Sequence, residues 1–89
     1  MINHKIVIIN KLGLHARAAA KLAKTAGSFS SKIQVGNGKS FVDGKSVMSL
    51  MLLAANRGTE LELIVDGSDE QSALEAVTTL INNRFDEDE

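Results

Sequence analysis

Gly13-Leu14-His15-Ala16-Arg17 is the stretch in which residue types and spacing point most directly to chemistry. The run that follows is rich in Ala, Lys and Leu, all good helix formers, so His15 is expected at the N-cap of a helix. The first N–H groups of a helix have no internal partner and carry the positive end of its dipole, which makes that end an anion site. An imidazole there can form a phosphohistidine whose oxygens meet the backbone donors of Ala16, Arg17 and Ala18. The guanidinium of Arg17 has a planar geometry suited to phosphate oxygens. Gly13 is expected to let the loop approach the ligand. Phosphoryl transfer depends mainly on positioning and electrostatics, so a site with few parts can serve it. On spacing alone a second reading stands beside this one: His15 as an exposed loop residue and Arg17 as a solubilising charge.

The elements that must position these residues follow from patterning. Residues 5–9 are β-branched and read as a strand. Residues 16–26 read as a helix with Ala19, Leu22, Ala23 and Ala26 on its apolar face, and Gly27 just beyond it as a C-terminal cap. Residues 32–35 and 40–42 are short strands around a Gly36-Asn37-Gly38 turn. Ser46 opens a short helix over 47–55, with Leu50, Leu53 and Ala54 facing the core. Residues 60–65 alternate as a half-buried strand. Ser68 and Gln71 form a capping-box pattern before a helix whose apolar stripe is Ala73, Leu74, Val77, Leu80 and Ile81. This order predicts an α+β fold: a four-stranded, mostly antiparallel sheet with three helices on one face and water on the other.

The 89 residues are expected to form a single domain, 1–89, with the acidic tail 86–89 frayed. A domain of that size buries only roughly 60–65% of its unfolded surface, which favours chemistry on a partner-facing surface over a deep cleft. Charge is unevenly spread. Residues 1–45 carry eight Lys or Arg against one acid, and residues 46–89 carry two Arg against ten acids. The basic half suits an anion or an acidic partner. With three aromatic residues, all Phe, and a pI of about 6.1, the chain lacks the stacking platform and overall basicity of a nucleic-acid binder. It has no Cys, and His4 and His15 are separated by strand and loop without a third ligand, so neither a metal nor another cofactor is expected. His4, with no Arg neighbour and no helix start, reads as a strand-end residue. The N-terminus lacks a signal-peptide pattern and no apolar run is long enough to span a bilayer, which sets the cytoplasm, away from membranes, as the expected location.

Ser46 reads first as an N-cap, a role in which Ser→Ala costs about 1 kcal/mol. A phosphate would also sit well at that helix start. The apolar run Val47, Met48 and Met51 cannot all be buried on a helix packed on one side. It reads either as loose core or, in the favoured reading, as an exposed docking patch beside His15 rimmed by Lys21, Lys24 and Lys45.

Two segments, Gly13-Leu14-His15-Ala16-Arg17-Ala18-Ala19 and Lys45-Ser46-Val47-Met48-Ser49-Leu50-Met51, closely resemble the two signatures of the HPr family, the histidine-containing phosphocarriers of the bacterial phosphotransferase system. Their spacing, the chain length and the element order match the family as well. The resemblance implies an open-faced βαββαβα sandwich that acts as a monomeric phosphoryl carrier and is not itself an enzyme. It implies that His15 takes a phosphoryl group on Nδ1 from enzyme I, that Arg17 assists, and that the group passes to the histidine of a IIA domain. Ser46 would then be the target of an HPr kinase/phosphorylase. The family usually has Pro where this chain has Ala18. The acidic end is similar to that of the nitrogen-branch paralogue (NPr), whereas the Ser46 segment is similar to kinase-regulated HPr, so sugar transport and the nitrogen branch both stand. The rival reading is a regulatory module that binds a transcription factor or an enzyme.

Overall fold

Four strands and three α-helices make up the chain in a computed structural model that describes residues 1–87. Their order is β1 (Ile2–Val7), α1 (Ala16–Gly27), β2 (Lys32–Gly36), β3 (Phe41–Asp43), α2 (Val47–Leu52), β4 (Glu60–Asp66) and α3 (Glu70–Asn82), followed by a short turn of helix, Arg84–Asp86. The sheet order is β1-β4-β2-β3, and every neighbouring pair is antiparallel. This is the expected α+β arrangement.

The alternation in β4 builds the core. Leu61, Leu63 and Val65 are buried, while Glu60 and Asp66 on the other face are exposed. In register, Leu61 pairs with Ile6, Leu63 with Val35 and Val65 with Ile33, so this face of the sheet is apolar apart from His4 on the edge strand β1. The helices cover that face with Ala18, Ala19, Leu22, Ala23 and Ala26 from α1, Leu50 from α2, and Ala73, Leu74, Val77 and Ile81 from α3. The small side chains of α1 let its backbone lie close to the sheet. Leu80 packs only partly against this core.

Several boundaries differ from the sequence reading. β1 runs over Ile2–Val7, not 5–9, because its pairing with β4 starts at Ile2↔Val65. α2 stops at Leu52. Ala54, expected in the core, is exposed and adopts a left-handed φ of 50°, which ends the helix three residues early. The N-cap of α3 is Asp69, not Ser68, and the Ser68–Gln71 box does not form. The Asp69 carboxylate instead accepts hydrogen bonds from the Ser30 and Ser31 N–H groups at 2.8 and 2.9 Å and from the Ser31 hydroxyl. The Gly67 N–H, left over at this helix entry, is met by the Glu70 carboxylate at 3.2 Å.

The tail differs most. Arg84, Phe85 and Asp86 all have left-handed φ, at 57°, 53° and 62°. Such a conformation costs roughly 1–2 kcal/mol per non-glycine residue. Phe85 offsets it by being fully buried in the main core. The expected fraying of 86–89 therefore does not describe Asp86 and Glu87, which are held in place. Positions 88 and 89 of that expectation lie outside the described residues.

Candidate functional site

His15 is the N-cap of α1, with φ −80° and ψ −179°. Its carbonyl accepts the first helical bond, from Ala19 N–H at 2.8 Å. The N–H groups of Ala16, Arg17 and Ala18 therefore precede the first internal partner and form the open positive end of the helix. Ala16 and Arg17 are exposed and Ala18 is buried.

Two contacts fix the loop that carries His15. Leu14 is buried, and its N–H donates to the Ala55 carbonyl at 2.8 Å. Gly13 has φ 68° and lies against the Ala55–Asn56 backbone. The close approach that requires glycine is thus made to the chain after α2, and the expectation that Gly13 makes room for a ligand gives way to a packing role. The same contact places the C-terminal end of α2 beside the His15 loop.

Glu87 completes the site. One carboxylate oxygen contacts His15 Nε2 and the other accepts from the Asn10 side-chain amide at 3.0 Å. Asn10 is fully buried and also donates to the Gly13 carbonyl at 2.8 Å. Burial works to raise the Glu87 pKa. The Asn10 hydrogen bond, the His15 hydrogen bond and the charges of His15 and Arg17 outweigh it and hold the carboxyl below its usual range. The side chains of His15 and Glu87 are 27% and 15% exposed, so solvent and a partner still reach them. Lys11, Leu12, His15, Ala16, Arg17 and Glu87 line an open cleft of about 590 Å³.

The other expected site residues are distributed around this centre. Lys21 donates to the Phe85 carbonyl at 2.8 Å and lies 3.8 Å from the Asp86 carboxylate, so it anchors the tail. Lys45 is held by the Phe29 carbonyl at 2.8 Å, and Lys24 is exposed in the last turn of α1. Ser46 caps α2 as expected, its hydroxyl accepting from Ser49 N–H at 3.2 Å. Val47 is half-buried against the core, whereas Met48 and Met51 are 75% and 43% exposed. Leu52 and Leu12, which patterning did not single out, are also exposed, at 80% and 65%. His4 is exposed on β1. Among the described residues no three His, Cys, Asp or Glu side chains cluster as metal ligands, and no helix is long and apolar enough to cross a membrane.

Asn10 and Glu87 are the functional-site residues that sequence reasoning missed. Asn10 reads locally as a strand breaker. Glu87 stands 72 positions from His15, and no spacing rule connects them.

Known proteins are similar to this chain over nearly its whole length. A family model described as the PTS HPr component phosphorylation site matches residues 2–83. The phosphocarrier protein HPr of Pseudomonas aeruginosa is 57% identical over 86 residues, 96% of each chain. That of Neisseria meningitidis is 53% identical over the full 89 residues of both. A crystal structure of HPr from Thermoanaerobacter tengcongensis superposes with a TM-score of 0.95 at 40% identity, covering both chains completely. The Bacillus subtilis protein Crh, described as a swapped dimer, matches with a TM-score of 0.75 at 38% identity over 94% of this chain and 97% of its own. With the fold, the first signature and the full length in agreement, the chain belongs to the HPr family, the phosphocarrier proteins of the phosphotransferase system.

Proposed function

We propose that His15 is the phosphoryl acceptor and donor of this phosphocarrier, charged by phospho-enzyme I and discharged to the histidine of a IIA domain. The observation that carries this reading is the imidazole at the N-cap of α1, in an open cleft it shares with Arg17. The N–H groups of Ala16, Arg17 and Ala18 meet the phosphoryl oxygens, and the Arg17 guanidinium adds charge on the solvent side. Ala16 and Arg17 are exposed to water, so the phosphoryl group is stabilised without being trapped. The protein is on this reading a cytoplasmic monomer and a substrate of its partners, with no cofactor of its own.

Partner docking falls to the exposed apolar side chains of α2 and of the loop before α1. Met51 and Leu52 lie at the helix end that abuts the His15 loop, and Leu12 lines the cleft itself. Flexible Met side chains suit several partners in turn. Ser46 stands at the opposite end of α2, about 9 Å away for six residues at 1.5 Å each. A phosphate there acts on the docking helix, whose far end is about one Debye length (roughly 8–10 Å) away.

Incubation with enzyme I and labelled phosphoenolpyruvate tests the reading. Acid-labile label on the wild type and none on His15→Ala supports the carrier. An unlabelled wild type would instead support a module that only binds its partners.

A further inference from the structure

The contact between Glu87 and His15 assigns more than proximity. We propose that Glu87 is a positioning residue for phosphoryl transfer: its carboxylate holds the imidazole hydrogen on Nε2 and leaves Nδ1 as the nitrogen with the lone pair. The proposal rests on the carrier reading above and supplies the reason one ring nitrogen reacts.

Hydrogen-bond bookkeeping fixes the hydrogen. An ionised carboxylate only accepts, so the nitrogen that touches it must carry the hydrogen. The opposite oxygen of Glu87 is met by the Asn10 amide, whose orientation is also determined. Its nitrogen faces two acceptors, the Gly13 carbonyl and Glu87, and a flipped amide would set oxygen against oxygen at both. Asn10 is fully buried, so the amide is held by the core. Among the described residues Nδ1 has no hydrogen-bond partner. Arg17 also lines the cleft, and its positive charge favours the ionised form of Glu87.

The chain invests backbone strain in this contact. Three consecutive left-handed residues, Arg84 to Asp86, turn Phe85 into the core and bring Glu87 over His15. Strain of this kind persists where the surroundings over-determine it, and it concentrates at working sites.

The consequence for transfer is direct. The Nδ1 lone pair forms the new N–P bond while the N–P bond of the donor's phosphohistidine breaks and its electron pair returns to the donor ring. The Nε2 hydrogen stays in place, so the His15 ring gains a positive charge that the Glu87 carboxylate faces. On discharge the N–P electron pair returns to Nδ1, and the neutral ring with its Nε2 hydrogen is restored. Glu87 thus steadies the charged ring in both directions.

The test uses the unphosphorylated protein labelled with ¹⁵N, with His4→Gln as background so that one imidazole remains. The expected wild-type spectrum has a slowly exchanging, far-downfield ring hydrogen correlated with Nε2. In Glu87→Ala that resonance vanishes into solvent exchange, and phosphoryl uptake from enzyme I slows about tenfold when measured at a temperature where the variant is folded. Glu87→Gln offers a single acceptor oxygen to the two donors that meet the carboxylate, so the Nε2 hydrogen is no longer held against exchange and uptake slows with it. A hydrogen found on Nδ1, or a Glu87→Ala protein whose ring spectrum and uptake match the wild type, overturns the proposal. A wild type that shows the Nε2 hydrogen but takes no label refutes the carrier reading and the role given to Glu87, while the hydrogen's placement stands.

Discussion

A Cβ placed on Gly13 would stand 2.5 Å from the Ala55 carbonyl oxygen and 2.8 Å from the Asn56 Cα. Both are backbone atoms with little freedom to retreat, and the Ala55 oxygen is already the acceptor for Leu14 N–H. With φ at 68°, any larger residue adds conformational strain to the clash. Gly13→Ala is expected to cost about 2–3 kcal/mol. Because the displaced loop carries His15, uptake of phosphoryl groups should fall further than the loss of folded protein explains. Denaturation midpoints and initial labelling rates, measured together at a temperature where the variant is folded, separate the two effects.

Met48 and Leu52 offer the converse case, a change in function without a change in stability. Both are largely exposed, and neither belongs to the buried core. Met48→Asp and Leu52→Asp should leave the unfolding free energy within about 0.5 kcal/mol of the wild type. They should weaken binding to enzyme I by roughly tenfold or more, as hot-spot apolar contacts do. Titration calorimetry against enzyme I checks this. Wild-type affinity in both variants would move the docking surface elsewhere.

At Ser46 two substitutions divide two roles. Ser46→Ala removes the acceptor for Ser49 N–H and should cost about 1 kcal/mol, with phosphoryl uptake unchanged. Ser46→Asp keeps a side-chain acceptor at the helix start and adds a negative charge beside the docking helix. It should hold stability near the wild-type level and slow uptake from phospho-enzyme I. Equal uptake rates for Ser46→Asp and wild type would remove any regulatory role of charge at this position.

The parts of the molecule legible in sequence are those written in local pattern. Alternation in 60–65 and the Ala-rich periodicity of 16–26 placed β4 and α1, and with them the N-cap position of His15. Ser46 was legible for the same reason, since a cap is a local device. What escaped was decided by contacts distant along the chain. Asp69 looked like an interior position of a capping box, yet its carboxylate is drawn to Ser30 and Ser31, so the helix starts one residue later. Ala54 has high helix propensity, but the chain must turn there to bring Ala55 against Gly13. The acidic tail looks solvated because every residue from 82 to 89 except Phe85 is a charge or an amide. The lone Phe85 among them was the signal that the chain turns back into the core.

Asp69 gives the fold an acid-sensitive joint between α3 and the segment after α1. The Ser31 hydroxyl and the Ser30 and Ser31 N–H groups hold its carboxyl below the ordinary value of 3.8. A depressed folded-state pKa means that the ionised form stabilises the fold. That contribution is fully present above pH 3.8 and is lost as pH falls through the lower folded-state value. Asp69→Asn should therefore lower the denaturation midpoint at neutral pH, and its difference from the wild type should shrink below the ordinary carboxylate range. A difference that stays constant from about pH 7 to pH 2 would mean that the charge of Asp69 contributes nothing.

Phe85 joins stability to the site. Its ring is fully buried although its backbone is in a left-handed conformation, so its packing offsets the strain of the turn. Lys21 adds a hydrogen bond to the Phe85 carbonyl. Phe85→Ala leaves a cavity and should cost about 3–5 kcal/mol. Without the ring, only the polar contacts of Lys21 and Asn10 oppose the strain at Arg84 and Asp86, and the turn should open. Glu87 then leaves His15, and the downfield Nε2 hydrogen disappears as it does in Glu87→Ala. Phe85→Leu fills most of the space and should retain the turn at a cost nearer 1 kcal/mol. The pair is checked by unfolding midpoints alongside the ring ¹⁵N spectrum. If Phe85→Ala keeps the Nε2 hydrogen, the tail is held by the polar contacts of Asn10 and Lys21 and not by its aromatic anchor.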